Sequence, residues 1–465
     1  MIFIQRAILL FYRYNSSPTE AFKTEFHDRI SEEKLNNKSN IEADLLIQAK
    51  WIIPVSPKDT VLEDHCLAVR GNKIVAICPK DEVKTGISAA ETIVLDSHAL
   101  IPGLINTHGH SAMSLLRGIA DDTPLTEWLE ESIWPLESKF VSEEFVRHGA
   151  DLAIAEMIRS GTTCFADMYF YPAVTGKVLE DTGLRGLVGG PVSDAALPSH
   201  PDAASALDEL DSILKNQKSD DKIQYAIATH SVYLCSEETL RRASELAEKR
   251  EARLHIHVSE TRKEIADCHE KTGFYPVEYL NDIDFFKPGT VCAHASWVKK
   301  NEIRMLAEHE VTAVHCPSSN MKIACGGTLS LPAYNDAGVD VRIGTDGAAS
   351  SGSGLDMLAE ARLASLVQRH DHWDATLLPA ADVFGMATKG SSDWAVWNLD
   401  DVRMRPLGRS GNRHLANLIF NGADCMDLWV DGQALRMNGV TQTIDEALAW
   451  NELDLAVETY YEGIE

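Results

Sequence analysis

The stretch Ile101-Pro102-Gly103-Leu104-Ile105-Asn106-Thr107-His108-Gly109-His110 is an apolar run that ends in two imidazoles. Residues two apart in an extended chain point to the same side, so His108 and His110 can face one ion, with no side chain at Gly109 between them. Taken alone, the His-x-His pattern is moderately specific, and two incidental histidines remain the alternative. Its weight comes from the pattern further along the chain, where short apolar runs alternate with amphipathic stretches. Strands are expected at 101–106, 162–167, 184–190, 223–229, 253–258, 290–294, 311–315 and 339–345. Helices are expected at 142–160, 174–182, 202–216, 236–251, 301–309, 330–337 and 355–369. Eight strands with intervening helices in about 250 residues is the count of a (β/α)8 TIM barrel, an α/β fold whose chemistry occupies the carboxyl ends of the strands.

Ionisable residues collect at those ends. The fourth strand ends at Thr229-His230 and the fifth carries His255 and His257 ahead of Ser259-Glu260. His257 sits nearer the carboxyl end, while His255 reads as a satisfied interior histidine. The sixth, seventh and eighth strands end at His294, His315 and Asp346. An aspartate ending an apolar strand is costly to bury without a partner. His108, His110, His257 and Asp346 form a three-nitrogen, one-oxygen set suited to Zn²⁺, with Fe²⁺ or another divalent ion also open. Such an ion with a free position lowers the pKa of bound water towards ~7. Glu260, three residues beyond His257, can serve as general acid and base, and His294 with Asp346 can orient the attacking water. No lysine ends the fourth strand, so a single ion is expected rather than a bridged pair.

Outward from this core the sequence changes character. Residues 1–40 read as a disordered extension. Residues 45–53, 66–69, 73–77 and 92–95 form a short β meander with a turn at Arg70-Gly71-Asn72. The expected division is a β-sandwich from 41–100 with 390–445, a barrel over 101–389, and a helix or tail at 446–465. Lys plus Arg total 43 against 70 Asp plus Glu over 465 residues, a net charge of −27. That charge opposes nucleic-acid and anionic-membrane binding, and no apolar run approaches the ~20 residues of a membrane span. Nine scattered cysteines without a Cys-x-x-Cys pair suit reduced thiols in a cytoplasmic protein.

The ordered segments IPGLINTHGHSAMSLLRGIADD (101–122), WPLE (134–137), RSGTTCFADMY (159–169), HSVYLCSEE (230–238), HIHVSET (255–261), AHASWV (293–298), HCPSSNMKIACGG (315–327) and GTDGAAS (344–350) resemble the amidohydrolase superfamily. Within it they are similar to the 5-methylthioadenosine/S-adenosylhomocysteine deaminases. The resemblance implies a barrel carrying a β-sandwich built from the chain before and after it. It implies one divalent metal ion on His108, His110, His257 and Asp346, and substrate contacts from Glu137, His230, Glu260 and Asp346. It also implies hydrolytic deamination of a small purine nucleoside (5′-methylthioadenosine, S-adenosylhomocysteine or adenosine) to the 6-oxo product and ammonia, with Glu260 protonating N1. From its surroundings alone Glu137 would cap a turn or face solvent; only the resemblance promotes it. Its carboxylate would suit ribose hydroxyls, which favours a ribose-bearing substrate.

Three departures stand out. Asp346 is followed by Ser351-Gly352-Ser353-Gly354 where the family carries paired asparagines, and no arginine lies near Gly189-Gly190. Residues 394–413 lack the family's returning strand, so the sandwich is expected to be incomplete, with later strands at 415–420 and 427–430. Alternatives on the same scaffold are a guanine-type deaminase or a triazine chlorohydrolase, and, in another class, a barrel retained for binding alone. That last class would lack a ligand or the glutamate, and neither is lacking. A homo-oligomer is compatible with such barrels, although no interface signature is visible.

Overall fold

The computed structural model describes residues 41–454 apart from 59, 120–121, 219–220, 352–353, 408–410, 448 and 452–453. The extension read at 1–40 and most of the tail read at 446–465 lie outside the described residues. Four strands come first: β1 (Ile41–Ile52), β2 (Leu62–Arg70), β3 (Lys73–Pro79) and β4 (Ile87–Pro102). β1 pairs antiparallel with β2 and parallel with β4. β2 and β3 form a hairpin across Gly71, whose φ of +56° is the left-handed conformation such a turn requires.

Gly103 then turns the chain into the barrel. A Cβ there would lie 2.2 Å from Thr163 Cγ2, so a residue with a side chain could not make this passage. The apolar run expected as one strand at 101–106 is therefore two: Ile101 and Pro102 finish β4, and Leu104 begins the first barrel strand.

The barrel strands are β5 (Leu104–Gly109), β6 (Thr162–Met168), β7 (Arg185–Val192), β8 (Ile223–Ser231), β9 (Arg253–Val258), β10 (Val291–His294), β11 (Thr312–His315) and β12 (Asp340–Ile343). Each pairs parallel with the next in chain order. Between β12 and β5 the circle is closed by other bonds. Thr345 N donates to Asn106 Oδ1 at 3.0 Å, Asn106 Nδ2 to Thr345 Oγ1 at 2.8 Å, and Asp346 N to His108 O at 3.0 Å.

The intervening helices appear where the amphipathic pattern predicts them, and several of their starts are capped by side chains. Asp202 accepts from Ser205 N ahead of Ala203–Leu214, Ser236 from Thr239 N ahead of Glu237–Arg250, and Thr261 from Glu264 N ahead of Arg262–Thr272. Ala203–Leu214 buries Ala203, Ala206, Leu207, Leu210 and Leu214, a spacing of three and four that turns one stripe onto the barrel.

The chain returns through β13 (Trp394–Asn398), β14 (Cys425–Val430), β15 (Gln433–Met437) and β16 (Val440–Thr441). β13 pairs antiparallel with β4, so both ends of the chain join one eight-stranded mixed sheet ordered β16-β15-β14-β13-β4-β1-β2-β3. The sheet therefore has the returning strand that the sequence suggested was absent. Trp394–Asn398 is apolar and almost wholly buried, which hides any alternation. The strand expected at 415–420 is instead part of the helix Gly411–Asn421, whose Leu415, Leu418 and Ile419 are buried at helical spacing. Arg185 of β7 ties barrel to sheet, its Nε 2.6 Å from Asp393 and its Nη2 3.1 Å from Asp431. Among the described residues no helix is long and apolar enough to cross a membrane.

Candidate metal and active site

His108 and His110 on β5, His257 on β9 and Asp346 beyond β12 meet at the carboxyl end of the barrel. Asp346 Oδ1 lies 3.1 Å from His110 Nε2 and 3.4 Å from His108 Nε2, and His257 Nε2 lies 3.3 Å from His110 Nε2. Ligands about 2.0–2.1 Å from a tetrahedral ion stand roughly 3.3–3.4 Å from one another, which these three separations match; the ligand atoms of His108, His110 and Asp346 lie within 4.8 Å of one another, as do those of His108, His257 and His294. His108 Nε2 is buried without a hydrogen-bond partner, another mark of a lone pair meant for an ion. The other ring nitrogens fix the tautomers. His110 Nδ1 donates to Met168 O at 2.6 Å and His257 Nδ1 to His230 O at 2.8 Å, which turns both Nε2 atoms into the cluster.

Electrostatics favour the same assignment. Burial pushes His108 down to about 4 and holds His257 well below the usual imidazole range, so both are neutral at pH 7. Burial alone would raise Asp346, yet the adjoining imidazoles of His108 and His110 hold it well below the carboxylate range. His110 is pulled the other way. Its burial is outweighed by Asp346, which lifts it to about 9, so a proton between them occupies the place a cation would take. Ser319 Oγ and Gly347 N donate to Asp346 at 2.5 and 2.8 Å and fix its orientation.

Glu260 and His294 flank this cluster. Glu260 is buried, with its Oε1 3.8 Å from His294 Nε2 and 3.7 Å from Cys325 Sγ. Burial raises its carboxyl above the usual range, favouring the protonated form a general acid needs. Asn320 Nδ2 donates to His294 Nδ1 at 3.2 Å, which puts the His294 proton on Nε2, towards the site. Ser259, His294 and Asp346 all have positive φ (53°, 68° and 63°). Each such residue stores about 1–3 kcal/mol of strain, a cost that clusters at functional sites.

A cavity of about 270 Å³ opens over the cluster and includes Glu137 and His230 in its wall. Burial raises Glu137 to about 7 against a 2.8 Å hydrogen bond from Tyr169 OH, and lowers His230 to about 3. His110, Glu137, His230, His257, Glu260, His294 and Asp346 all line this cavity, and His108 lies beneath it against Asp346. Of the polar strand ends read from the sequence, His315 stands apart, with its Nε2 3.4 Å from Gln368 Nε2.

Sequence reasoning missed the supports. His255 is more than interior packing: its Nε2 lies 2.9 Å from His108 Nδ1 and accepts that proton when His108 ligates through Nε2. Glu264 accepts from the backbone N–H groups of Ser259 and Glu260, both at 2.8 Å. Glu360 accepts from Ser318 N at 3.0 Å, bracing the short helix Pro317–Lys322 that carries Ser319 and Asn320. The Thr261-x-x-Glu264 spacing was the available signal for one of these, because it is the pattern of a helix-capping box. For His255 and Glu360 nothing in the local sequence marks the contact.

Residues 99–394 match the model of the amidohydrolase family. A 5-methylthioadenosine/S-adenosylhomocysteine deaminase of Thermodesulfovibrio yellowstonii is 36% identical over 423 residues, covering 86% of this chain and 95% of that protein. A 5′-deoxyadenosine deaminase of Methanosphaera stadtmanae is 36% identical, covering 81% and 92%. Among solved structures, a zinc-bound adenosine deaminase from Xanthomonas campestris is similar with a TM-score of 0.86 at 32% identity, covering 91% of this chain and all of that one. The barrel, its attached sheet and a family match across the whole barrel lead to one conclusion: the chain belongs to the amidohydrolase family.

Proposed function

We propose that this protein is a zinc-dependent deaminase of adenine nucleosides, releasing ammonia from C6 and leaving the 6-oxo product. The observation that carries the reading is the convergence of three imidazole Nε2 atoms and one carboxylate beside a buried, protonatable Glu260. His108, His110, His257 and Asp346 would hold the ion, and the nitrogen-rich set favours zinc over harder cations. When bound, the ion supplies Lewis acidity that makes water a nucleophile at neutral pH.

The chain's own residues do the rest. Glu260 gives its proton to N1 of the adenine, which makes C6 electron-poor; its carboxylate then takes the proton shed by the attacking water, passes it to the departing amine, and recovers a proton from the C6 hydroxyl as the 6-oxo group forms. The Nε2–H of His294 and the carboxylate of Asp346 orient the attacking water. Glu137 accepts from ribose hydroxyls while Tyr169 holds it in place, and neutral His230 contacts the sugar or ring. The relatives act, by name, on adenine nucleosides, which supports this substrate over guanine or a chlorotriazine. Nine free cysteines support a reducing compartment, and the net charge of −27 disfavours polyanionic partners.

Glu260→Gln tests the assignment. It should keep zinc content at the wild-type level while turnover of 5′-methylthioadenosine falls at least ~10²-fold. Turnover within a few-fold of wild type would remove Glu260 from the role. A panel with guanine and a chlorotriazine separates the rival substrates.

A further inference from the structure

The adenine-nucleoside reading leaves the 5′ substituent open, and the cavity wall constrains it. The metal cluster and Glu260 stand at the barrel end. The rest of the wall is supplied largely by residues 125–138 and 195–198, which lie beyond the ends of β5 and β7. Leu125, Trp128, Trp134, Ala196 and Leu197 make this outer part apolar. The charged side chains of the wall are Glu137, Glu260 and Asp346, and among the described residues no lysine or arginine lines it. Lys139 and Lys322 adjoin lining residues in sequence but are not in the wall, and Lys139 lies 4.6 Å over the ring of Phe140. Outside, the 125–134 segment exposes Glu127, Glu130 and Glu131. An anionic tail entering here would lose hydration, meet no cation and face like charge.

We infer that the site takes a neutral, apolar 5′ group, such as the methyl of 5′-deoxyadenosine or a thioether, and discriminates against a 5′ carboxylate or phosphate. This specificity rests on the adenine-nucleoside reading. The ammonium of S-adenosylhomocysteine is tolerated by the acidic rim; its carboxylate is the group without a partner.

The test is kcat/KM of the zinc-loaded full chain for 5′-deoxyadenosine, 5′-methylthioadenosine, 5′-butylthioadenosine, S-adenosylhomocysteine and adenosine 5′-monophosphate. The three neutral substrates should lie within about tenfold of one another, on the order expected for small apolar differences. S-adenosylhomocysteine should fall at least ~10-fold below the methylthio substrate and the monophosphate at least ~100-fold below it, as unpaired buried charge requires. A smaller gap for S-adenosylhomocysteine overturns the inference. So does a butylthio substrate as poor as S-adenosylhomocysteine, because length rather than charge would then decide. Ala196→Arg, at an exposed lining position, should raise the S-adenosylhomocysteine to methylthioadenosine ratio at least ~5-fold by supplying the missing cation. An unchanged ratio means this wall does not meet the 5′ end, and the inference fails. Quenching of Trp128 and Trp134 fluorescence in metal-free protein should rank the ligands in the same order. Failure to deaminate all five substrates, with guanine consumed instead, would refute the adenine-nucleoside reading itself.

Discussion

Replacing Gly344 with alanine should break the barrel seam and the metal site together. The added Cβ would stand 2.7 Å from His108 N, 2.9 Å from His108 O and 3.0 Å from His108 Cβ. Two of these are backbone atoms that no rotamer change can move. The closest contact is roughly 0.7 Å tighter than ordinary van der Waals distance, so β12 and β5 must part by about that much. The seam bonds, Asp346 N to His108 O and Thr345 N to Asn106 Oδ1, now 3.0 Å each, would then exceed hydrogen-bonding distance. Overpacking costs about 1–3 kcal/mol and each of the two lost bonds about 1 kcal/mol, so destabilisation of ~3–5 kcal/mol is expected. His108 and Asp346 sit on opposite sides of the seam, and ligand distances tolerate only ~0.2 Å. Zinc affinity should therefore fall at least ~10-fold. Urea unfolding of the metal-free protein reads the first effect, and chelator competition the second. Gly385→Ala is the matched control: its Cβ meets nothing within 4 Å in the helix Ala380–Thr388, and it should add about 0.5–1 kcal/mol. A Gly344→Ala protein with wild-type stability and zinc affinity would refute the account of the seam.

Two further outcomes are expected from the supports of the site. His255→Phe keeps a buried ring but removes the acceptor for His108 Nδ1, so zinc affinity should drop ~10–100-fold with circular dichroism unchanged; unchanged affinity would make His255 packing only. Glu264 is raised by burial to about 8 from an ordinary value of 4.5. Folding therefore retains a proton that the unfolded chain releases, and stability from this group is fully present below about 4.5 and lost as pH rises through about 8. The loss is on the order of 5 kcal/mol. The pH slope of urea stability between about 5 and 8 should be shallower in Glu264→Gln than in wild type, and equal slopes would count against a protonated Glu264.

Much of this site is legible in residue order because a parallel barrel converts sequence position into spatial position. A polar residue at a strand's carboxyl end must arrive at the same rim as every other, which is why His108, His110, His257, His294 and Asp346 can be grouped without coordinates. Where that rule lapses, so does legibility. His255 shares a face with His257 but lies one layer down, and only the approach of β5 reveals its partner. Glu137 comes from a helix outside the barrel, Trp134–Phe140, and resemblance alone points to it. Residues 394–398 mislead because a continuous apolar run carries no period when every face is buried, and residues 415–420 because six positions are too few to reveal the helical spacing of Leu415, Leu418 and Ile419.

The mixed sheet also has a consequence for synthesis. As the ribosome delivers the chain, β1 to β4 emerge first, yet the neighbour that covers the free side of β4 is β13, made only after the entire barrel. Until then β4 presents an unsatisfied edge of amides and carbonyls, a template for pairing between nascent chains. Translation stalled inside the barrel would thus endanger solubility at a place far from the stall, and chaperone dependence should be greatest for the part of the protein that is synthesised earliest.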